Sequence, residues 1–374
     1  MNKPSLPKAR IFVFSNDYWN LANYRGNLIA ALSDKYEVQC FAPKNNIGLK
    51  TEIELENFTP VKFSRDFSAL WLDVWFLLRM FAYLLTKRPD CVLTYTVKPN
   101  VYLGFVCKVL RIPQIANVTG LGKTGEARKN GLFDLLYRLS NHSKKTHFFQ
   151  NRGDYEKLKA ARVGLRNYGF LPGSGVETSK FTRRKKHSFK RPHLAYVGRL
   201  IEDKGVLDVL EAVPALESKG YKVSIAGPKE AASSAGFKQA FERLTSENEN
   251  LYVGPIQDVN AFLEDIDCLV FPSYYNEGLP RIILESGSKG IPVVCCNIPA
   301  TEQIIVHGQN GYFCLPQSSE SILEMVAEIF ENGESHYEML CQNITSTVTE
   351  SYDESVVIDS YFKEIERIIH HDVF

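Results

Sequence analysis

Residues 193–205 have the sequence HLAYVGRLIEDKG, and this stretch decides the fold class. The apolar run at 193–197 predicts a buried strand, Gly198 ends it, and the pattern at 205–218 predicts a helix. The alternation continues with strands at 222–226, 251–253, 268–271 and 292–295 and helices at 236–246 and 280–289. Because strand, helix and strand in this order form a βαβ unit, the second half is predicted to contain a parallel sheet.

The first half of the chain alternates in the same way. Its predicted strands lie at 11–14, 36–41, 91–94, 114–118 and 146–149, and its helices at 28–32, 69–86, 100–110 and 132–143. The alternation breaks at residues 171–175, LPGSG, before a basic segment. We therefore expect two doubly wound α/β domains at 1–171 and 193–352, a linker at 172–192 and a terminal helix within 353–374.

Composition agrees with two globular domains. The chain has 374 residues, 44% of them hydrophobic, which excludes a disordered, collagen-like or small disulfide-stabilised protein. The eight cysteines are scattered and form no C-x-x-C pair, so we expect buried, reduced thiols and a cytoplasmic location. Residues 1–7 lack the apolar core of a signal peptide.

The formal net charge of +1 hides an uneven distribution of charge. Residues 1–190 carry 32 Lys and Arg against 14 Asp and Glu, whereas residues 191–374 carry 12 against 29. This asymmetry indicates an anionic surface or ligand facing the first half. The most hydrophobic stretch, 69–85, is interrupted by Asp73 and Arg79 and is too polar to span a membrane. It is either a buried helix or a helix lying at a membrane surface.

Two motifs resemble known binding sites, but other interpretations fit them better. Residues 117–124, NVTGLGKT, resemble a phosphate-binding P-loop, but Asn117 stands where the first glycine is required. Its glycines instead let the backbone approach a ligand at the end of a strand. Asp265 and Asp267 form the D-x-D that binds a divalent cation in many sugar transferases, yet they fit a helix end and a strand start. No other Asp, Glu or His cluster has metal-ligand spacing, so no metal site is predicted.

Residues 277–285, EGLPRIILE, follow the predicted strand at 268–271. Pro280 suits the first turn of a helix, and the free N–H groups and the dipole of that turn attract an anion such as a diphosphate. Glu277 and Glu285 are about two turns apart, so both can face one cleft and accept sugar hydroxyls and a ribose diol. Ordinary helix charges explain the same spacing equally well, and both interpretations remain open.

Two cations follow the strand at 193–197 in an otherwise acidic half. Arg199 and Lys204 can both reach the end of the sheet and neutralise a diphosphate leaving group. A surface ion pair is the alternative interpretation.

Together these residues resemble family 4 of the retaining GT-B glycosyltransferases. The similarity covers essentially the whole chain and rests on four motifs in order: residues 172–181 (PGSGVETSKF), Gly198-Arg199 with Lys204-Gly205, Glu277-x7-Glu285, and Gly308-x-Asn310-Gly311. In the first half, residues 23–29 (NYRGNLI), 96–100 (TVKPN) and 115–122 (IANVTGLG) look like bacterial capsule, O-antigen and glycan-assembly members. Some of these transfer N-acetylgalactosamine or another hexose onto an undecaprenyl-diphosphate-linked sugar.

The resemblance implies a GT-B fold, in which two Rossmann-like domains face a central cleft and a C-terminal helix crosses back to pack on the first domain. It implies that the second domain binds a UDP-sugar donor, with no cofactor and no metal. The implied donor contacts are Glu277 to the sugar hydroxyls, Glu285 to the ribose, Arg199 and Lys204 to the diphosphate, and Gly198, Gly278, Leu279, Pro280 and Arg281 around them.

The acceptor implied by the resemblance is an undecaprenyl-diphosphate-linked saccharide bound by the first domain. Its implied contacts are Asn23, Arg25, Thr119, Gly120 and Lys123. Nucleic acid is not an implied partner. Two features depart from the family: many members carry a His where this chain has Thr119-Gly120, and the loop at 274–276 (YYN) is one residue longer than the common pattern.

The implied reaction is retaining transfer without a covalent intermediate. The acceptor hydroxyl attacks the face from which the nucleotide diphosphate leaves, and the leaving diphosphate takes the proton. This reaction needs neither a metal nor a general-base His. Three other functions remain: a GT-B nucleotide-sugar epimerase, a P-loop kinase that uses Lys123, and a non-catalytic assembly subunit.

The basic half also predicts peripheral docking on the inner face of the cytoplasmic membrane. Residues 128–145 mix basic side chains with the aromatic Phe133 and Tyr137, which we expect to be exposed. Basic and apolar side chains on one surface favour binding to anionic lipid. A solvated helix packed on the sheet is the alternative.

Overall fold

The computed structural model describes residues 8–44, 54–63, 70–121, 131–183, 191–230, 233–246, 248, 250–275 and 278–371. The chain divides into two compact units, Met1–Ser174 with Val357–Phe374, and Gly175–Val356. Each unit has one parallel sheet with core side chains on both faces. The predicted class of two Rossmann-like α/β domains is confirmed.

The first unit is built on seven parallel strands. They are β1 (Arg10–Phe14), β2 (Glu37–Ala42), β3 (Phe58–Pro60), β4 (Cys91–Tyr95), β5 (Gln114–Val118), β6 (Lys145–Phe149) and β7 (Asn167–Phe170), in the spatial order β3-β2-β1-β4-β5-β6-β7. Alternate side chains of β1 enter opposite cores, Phe12 and Phe14 on one face and Ile11 and Val13 on the other. Burial on both faces explains why the central strands are continuous apolar runs.

Helices cover both faces of this sheet. They are α1 (Tyr18–Lys35), α2 (Leu70–Lys87), α3 (Val97–Leu110), α4 (Leu132–Ser140) and α5 (Arg152–Ala160). Helix α1 packs on the face of Ile11, whereas α2, α3 and α4 pack on the face of Phe12. The prediction that Phe133 and Tyr137 are exposed is wrong. Both lie in the core beneath α4, because this helix directs its aromatic side chains toward the sheet.

The second unit is built on six parallel strands. They are β8 (His193–Val197), β9 (Lys222–Ala226), β10 (Tyr252–Gly254), β11 (Cys268–Phe271), β12 (Val293–Cys296) and β13 (Gly311–Cys314), in the spatial order β10-β9-β8-β11-β12-β13. Its helices are α6 (Val206–Ser218), α7 (Ala235–Thr245), α8 (Val259–Phe262), α9 (Arg281–Ser288), α10 (Ser319–Phe330) and α11 (Glu334–Ser351), with short 3-10 turns at Glu202–Lys204 and Leu263–Asp265.

The last helix, α12 (Glu354–His371), returns the chain to the first unit as predicted. Its apolar stripe enters the core on the Ile11 face through Val357, Tyr361, Ile365 and Ile368. The start of this helix lies against Gly175, where φ is +70° and an added Cβ would be 2.5 Å from Cα of Glu354. Only glycine fits this close approach.

The described helices include none that is both long and apolar enough to cross a membrane. Helix α2, which carries the most hydrophobic stretch of the sequence, contributes Phe76, Met80 and Leu84 to the core of the first unit.

Candidate functional site

The second sheet reverses its strand order between β8 and β11. From this pair, β9 and β10 continue to one side and β12 and β13 to the other. Open parallel sheets bind ligands at such a switch point, outside the carboxyl ends of the strands. Residues 198–205 follow β8 there, and residues 272–280 follow β11 and lead into α9. The predicted donor-binding residues lie in these two loops and in α9. Glu277 is outside the described residues, and its sugar contact stays a prediction.

Gly198 lies where two backbones almost touch. Its N–H donates to the carbonyl of Ala226 at 3.0 Å. A Cβ placed on Gly227, whose φ is +141°, would be 1.7 Å from the carbonyl oxygen of Gly198. The loop after β8 is therefore held tightly against the end of β9, which fixes the position from which Arg199 extends.

Arg199 forms an ion pair, which was the alternative interpretation to a ligand contact. Its Nη1 is 3.2 Å from Oε1 of Glu230, and its Cζ is 5.5 Å from the ring centroid of Tyr275. Burial opposes the charge of Arg199, but Glu230 and Tyr275 outweigh this effect and raise its pKa. A diphosphate would therefore compete with Glu230 for a guanidinium that is always charged.

Lys204 is buried at the end of a 3-10 turn. Its Nζ lies 5.0 Å from the ring centroid of Phe271 and 5.7 Å from that of Tyr275. The turn is held by Gly205, where φ is +69° and a Cβ would be 2.3 Å from the carbonyl oxygen of Pro272. The loop after β8 thus packs directly on the loop after β11, and Lys204 lies at their junction.

Tyr275 brings the two cations together. Its ring lies within 6 Å of both the Arg199 guanidinium and the Lys204 ammonium, an arrangement that cation–π attraction stabilises. In the sequence, residues 274–276 stand out only as a longer loop, which does not predict this role. The available indication was an aromatic residue two positions before Glu277, but sequence spacing alone does not show which side chains contact its ring.

The loop after β11 leads into α9 through three buried residues, Gly278, Leu279 and Pro280. Pro280 is the N-cap of α9 rather than part of its first turn, with φ of −68°. On the helix, Nε of Arg281 donates to Oε1 of Glu285 at 2.9 Å, and Glu285 is buried. The carboxylate predicted to bind a ribose is therefore positioned by a cation one turn away.

The first sheet has its own switch point, between β1 and β4. Arg25 of α1 is buried there, with Cζ 4.7 Å from the ring centroid of Tyr95, the last residue of β4. Its Nη1 donates to the carbonyl of Tyr24 at 2.9 Å, while its Nε has no partner among the described residues. Asn23 of the same helix donates from Nδ2 to the carbonyl of Trp19 at 2.9 Å.

Thr96, which follows β4 directly, has a φ of +70°. This backbone region is strained for a β-branched residue, and such strain concentrates at functional sites. Thr96 belongs to the motif at 96–100, but the sequence gives no indication of its backbone conformation. Thr119 and Gly120 follow the neighbouring β5 and are partly exposed, with a φ of +104° at Gly120. Lys123 lies outside the described residues.

The remaining candidates have structural roles. Asp265 ends the 3-10 turn before β11, and Oδ2 of the buried Asp267 accepts from the backbone N–H of His193 at 2.8 Å. The described residues contain no group of three or more His, Cys, Asp or Glu arranged to hold a metal. All eight cysteines are buried, and none forms a disulfide. Burial raises the pKa of the Cys40 and Cys107 thiols to about 12, which keeps them protonated.

The chain is similar in sequence to known glycosyltransferases. Residues 179–346 match the family described as Glycosyl transferases group 1. The chain is 24% identical to the N,N'-diacetylbacillosaminyl-diphospho-undecaprenol alpha-1,3-N-acetylgalactosaminyltransferase of Campylobacter jejuni, with 96% of this chain and 99% of that protein aligned. It is 22% identical to the capsular polysaccharide biosynthesis glycosyltransferase CapM of Staphylococcus aureus, over 81% and 83% of the two chains.

Solved structures with the same GT-B fold include that of Anabaena HepE in complex with UDP. The TM-score is 0.77 at 14% sequence identity, over 96% of this chain and all of that one. This similarity identifies the fold, which agrees with the two parallel sheets described above.

Proposed function

We propose that this chain, which carries a glycosyl transferases group 1 domain at residues 179–346, is a retaining glycosyltransferase of bacterial surface polysaccharide or glycan biosynthesis. It would move a hexose or an N-acetylhexosamine, such as N-acetylgalactosamine, from a UDP-sugar to an undecaprenyl-diphosphate-linked saccharide. The observation that carries the proposal is the convergence of Arg199 and Lys204 on Tyr275 at the switch point of the second sheet. The names of the C. jejuni and S. aureus relatives support the substrate class.

In this proposal, residues 193–352 bind the donor. Arg199 exchanges Glu230 for a phosphate oxygen, and Lys204 adds a second positive charge from its buried position. The amides that begin α9 add dipolar stabilisation. Two fixed cations and a helix terminus stabilise the charge that develops on the departing diphosphate, which is where catalysis is needed. Glu285, held by Arg281, would accept the ribose hydroxyls, and Glu277 the hydroxyls of the sugar.

The reaction itself would proceed on one face of the sugar. The acceptor hydroxyl forms the new bond to the anomeric carbon as the bond to the diphosphate oxygen breaks, and the diphosphate accepts the hydroxyl proton. The product therefore keeps the donor's anomeric configuration. No metal and no general-base His take part in this scheme, because Arg199, Lys204 and the helix terminus supply the charge stabilisation.

Residues 1–171 would bind the acceptor. The buried Arg25, whose Nε has no partner among the described residues, is a candidate donor to a phosphate or sugar oxygen. Thr119 and Gly120 follow the neighbouring strand, and Asn23 and Lys123 complete the proposed set. The basic charge of this half would also favour an anionic membrane surface on the cytoplasmic side, where lipid-linked saccharides are presented.

The test is a transfer assay with a panel of UDP-sugars and an undecaprenyl-diphosphate-linked saccharide. We expect a glycosylated lipid with retained anomeric configuration, and we expect Arg199→Ala and Lys204→Ala each to lower kcat/KM about 100-fold. Lys219→Ala is the matched control, since Lys219 forms an exposed ion pair with Glu331 in the same unit. Conversion of the UDP-sugar without an acceptor would indicate an epimerase. Inactivity toward every donor would indicate a non-catalytic assembly subunit. A product with inverted anomeric configuration would overturn the retaining mechanism.

A further inference from the structure

Helix α2 exposes a row of large apolar side chains. Trp71, Val74, Trp75 and Leu78 are 52–72% exposed. Their spacing of three and four residues places them on one stripe of the helix. The opposite side of α2 is also apolar and lies in the core, so the helix lacks the polar outer face of an ordinary surface helix.

The only carboxylate of α2 points inward. Oδ2 of Asp73 accepts hydrogen bonds from Nζ of Lys98 at 2.7 Å and from the hydroxyl of Tyr102 at 2.9 Å, and all three residues are buried. The negative charge of α2 is thus neutralised inside the first unit. The outward face of the helix keeps its tryptophans and leucine with no acidic side chain beside them on the same helix.

The neighbouring helices α3 and α4 also expose apolar side chains. Helix α3 packs on both α2 and α4. Nζ of Lys108 on α3 donates to the carbonyl of Leu139 on α4 at 2.8 Å and so ties these two helices together. Further exposed apolar residues of α3 and α4 are Val109, Leu132, Leu135 and Leu139. We call the exposed residues of α2, α3 and α4 the α2–α4 surface.

The exposed charges of the α2–α4 surface are basic. They belong to Arg79, Lys87, Lys108 and Arg138, whereas Asp134, the one acidic residue of α3 and α4, is partly buried. The guanidinium of Arg79 lies 5.2 Å from the ring centroid of Trp75, so charge and aromatic area are combined at one point. Tryptophan and basic side chains together are typical of a surface that lies at the boundary between lipid headgroups and acyl chains.

We propose that the α2–α4 surface docks on an anionic lipid bilayer. Trp71, Trp75 and Leu78 enter the boundary below the headgroups, and the basic side chains contact lipid phosphates. A second copy of this chain would also cover the apolar row, but it would bring two basic surfaces together, which like-charge repulsion opposes. This proposal specifies which surface of the protein binds the membrane, and it rests on the proposed function for its biological purpose. It can be tested without any sugar substrate.

Tryptophan fluorescence provides a direct readout. The chain has three tryptophans, two of them on the α2–α4 surface, and the third, Trp19, is partly buried in α1. Vesicles of phosphatidylglycerol and phosphatidylethanolamine should shift the emission of the full-length protein to shorter wavelength at low salt, and added salt should weaken the binding. Trp71→Phe with Trp75→Phe should keep co-sedimentation with these vesicles and lose the shift.

A matched pair of substitutions tests the location of the surface. Leu78 of α2 and Leu315 of the second unit are 65% and 67% exposed. Leu78→Gln should reduce the partition coefficient on anionic vesicles about tenfold, whereas Leu315→Gln should leave it unchanged. Equal effects of the two variants, or no emission shift with anionic vesicles, would overturn the proposal. A dimer in sedimentation analysis that Leu78→Gln dissociates would identify a second copy as the occupant instead.

Transfer to a water-soluble acceptor separates this inference from the proposed activity. Leu78→Gln should retain that transfer although its binding to anionic vesicles is about tenfold weaker. A chain that binds vesicles through Leu78 but transfers no sugar would refute the proposed activity and leave the docking surface standing.

Discussion

Nε of Arg281 donates a hydrogen bond to Oε1 of Glu285, 2.9 Å away and one turn further along α9. Both side chains are mostly shielded from solvent. The carboxylate that we assign to the donor ribose is therefore held in one orientation by its own helix before a ligand binds, and less ordering is needed on binding.

Replacing this carboxylate should weaken donor binding. We expect Glu285→Gln to raise the dissociation constant of UDP about tenfold or more in calorimetry, because hydrogen bonds to a charged acceptor contribute about 1.5–3 kcal/mol. Glu331→Gln, which removes the exposed partner of Lys219, should leave UDP binding unchanged. Equal affinity of wild type and Glu285→Gln would show that this carboxylate does not contact the nucleotide.

The fold could be predicted from sequence where burial is complete. Strands β1, β4, β8 and β11 are covered on both faces and therefore appear as nearly continuous apolar runs. Helix α1 was predicted only over 28–32, although it begins at Tyr18. Its first half contains Arg25, whose burial depends on the ring of Tyr95, a contact that no local pattern reveals. Strands β3, β7 and β13 and helices α5, α10 and α11 were not predicted.

The candidate site also contains residues that could be predicted from the sequence and one, Tyr275, that could not. Arg199, Lys204, Glu285 and the start of α9 were predicted because they belong to short motifs between a strand and a helix. The position of Tyr275 depends on the packing of the loop after β8 on the loop after β11, and that packing requires Gly205. Such contacts join residues about 70 positions apart in the chain, so spacing within a motif could not show them.

Gly205 provides a test of that loop packing. Alanine there would have a positive φ and a Cβ 2.3 Å from the Pro272 carbonyl, whereas Gly220 has a φ of +90° with no atom within 4 Å of an added Cβ. We expect Gly220→Ala to cost about 1 kcal/mol from backbone strain alone, and Gly205→Ala about 3 kcal/mol or more in urea unfolding. Similar losses in the two variants would contradict the close approach.

Replacing only one member of the buried Asp73–Lys98 ion pair should lower the free energy of unfolding. Asp73→Ala removes the buried carboxylate that lies 2.7 Å from Nζ of Lys98, and we expect a loss of about 3–5 kcal/mol in the free energy of unfolding. The double variant Asp73→Leu with Lys98→Met should recover most of that loss, because no buried charge remains. A double-mutant cycle in urea measures the coupling, and additive effects would show that the two groups do not depend on each other.

Lys145 should make stability depend on pH. Its ammonium is fully buried and donates to the carbonyl of Asn100 at 2.9 Å. Burial, together with the nearby charge of Lys108, lowers its pKa to about 7. In the unfolded chain the pKa is about 10.4. Between these values the unfolded chain binds a proton that the folded chain does not, so this group makes the folded state more stable as pH rises.

Lys145→Met removes this dependence and shows its sign. At pH 7 and below, the variant should be more stable than wild type, since the wild type then keeps a buried cation. The advantage should shrink by about 2 kcal/mol between pH 7 and pH 9 in urea unfolding. Lys144→Met, at the exposed neighbouring position, serves as the control and should follow the wild-type curve. Parallel curves for wild type and Lys145→Met would mean that Lys145 stays protonated in the folded chain over this range.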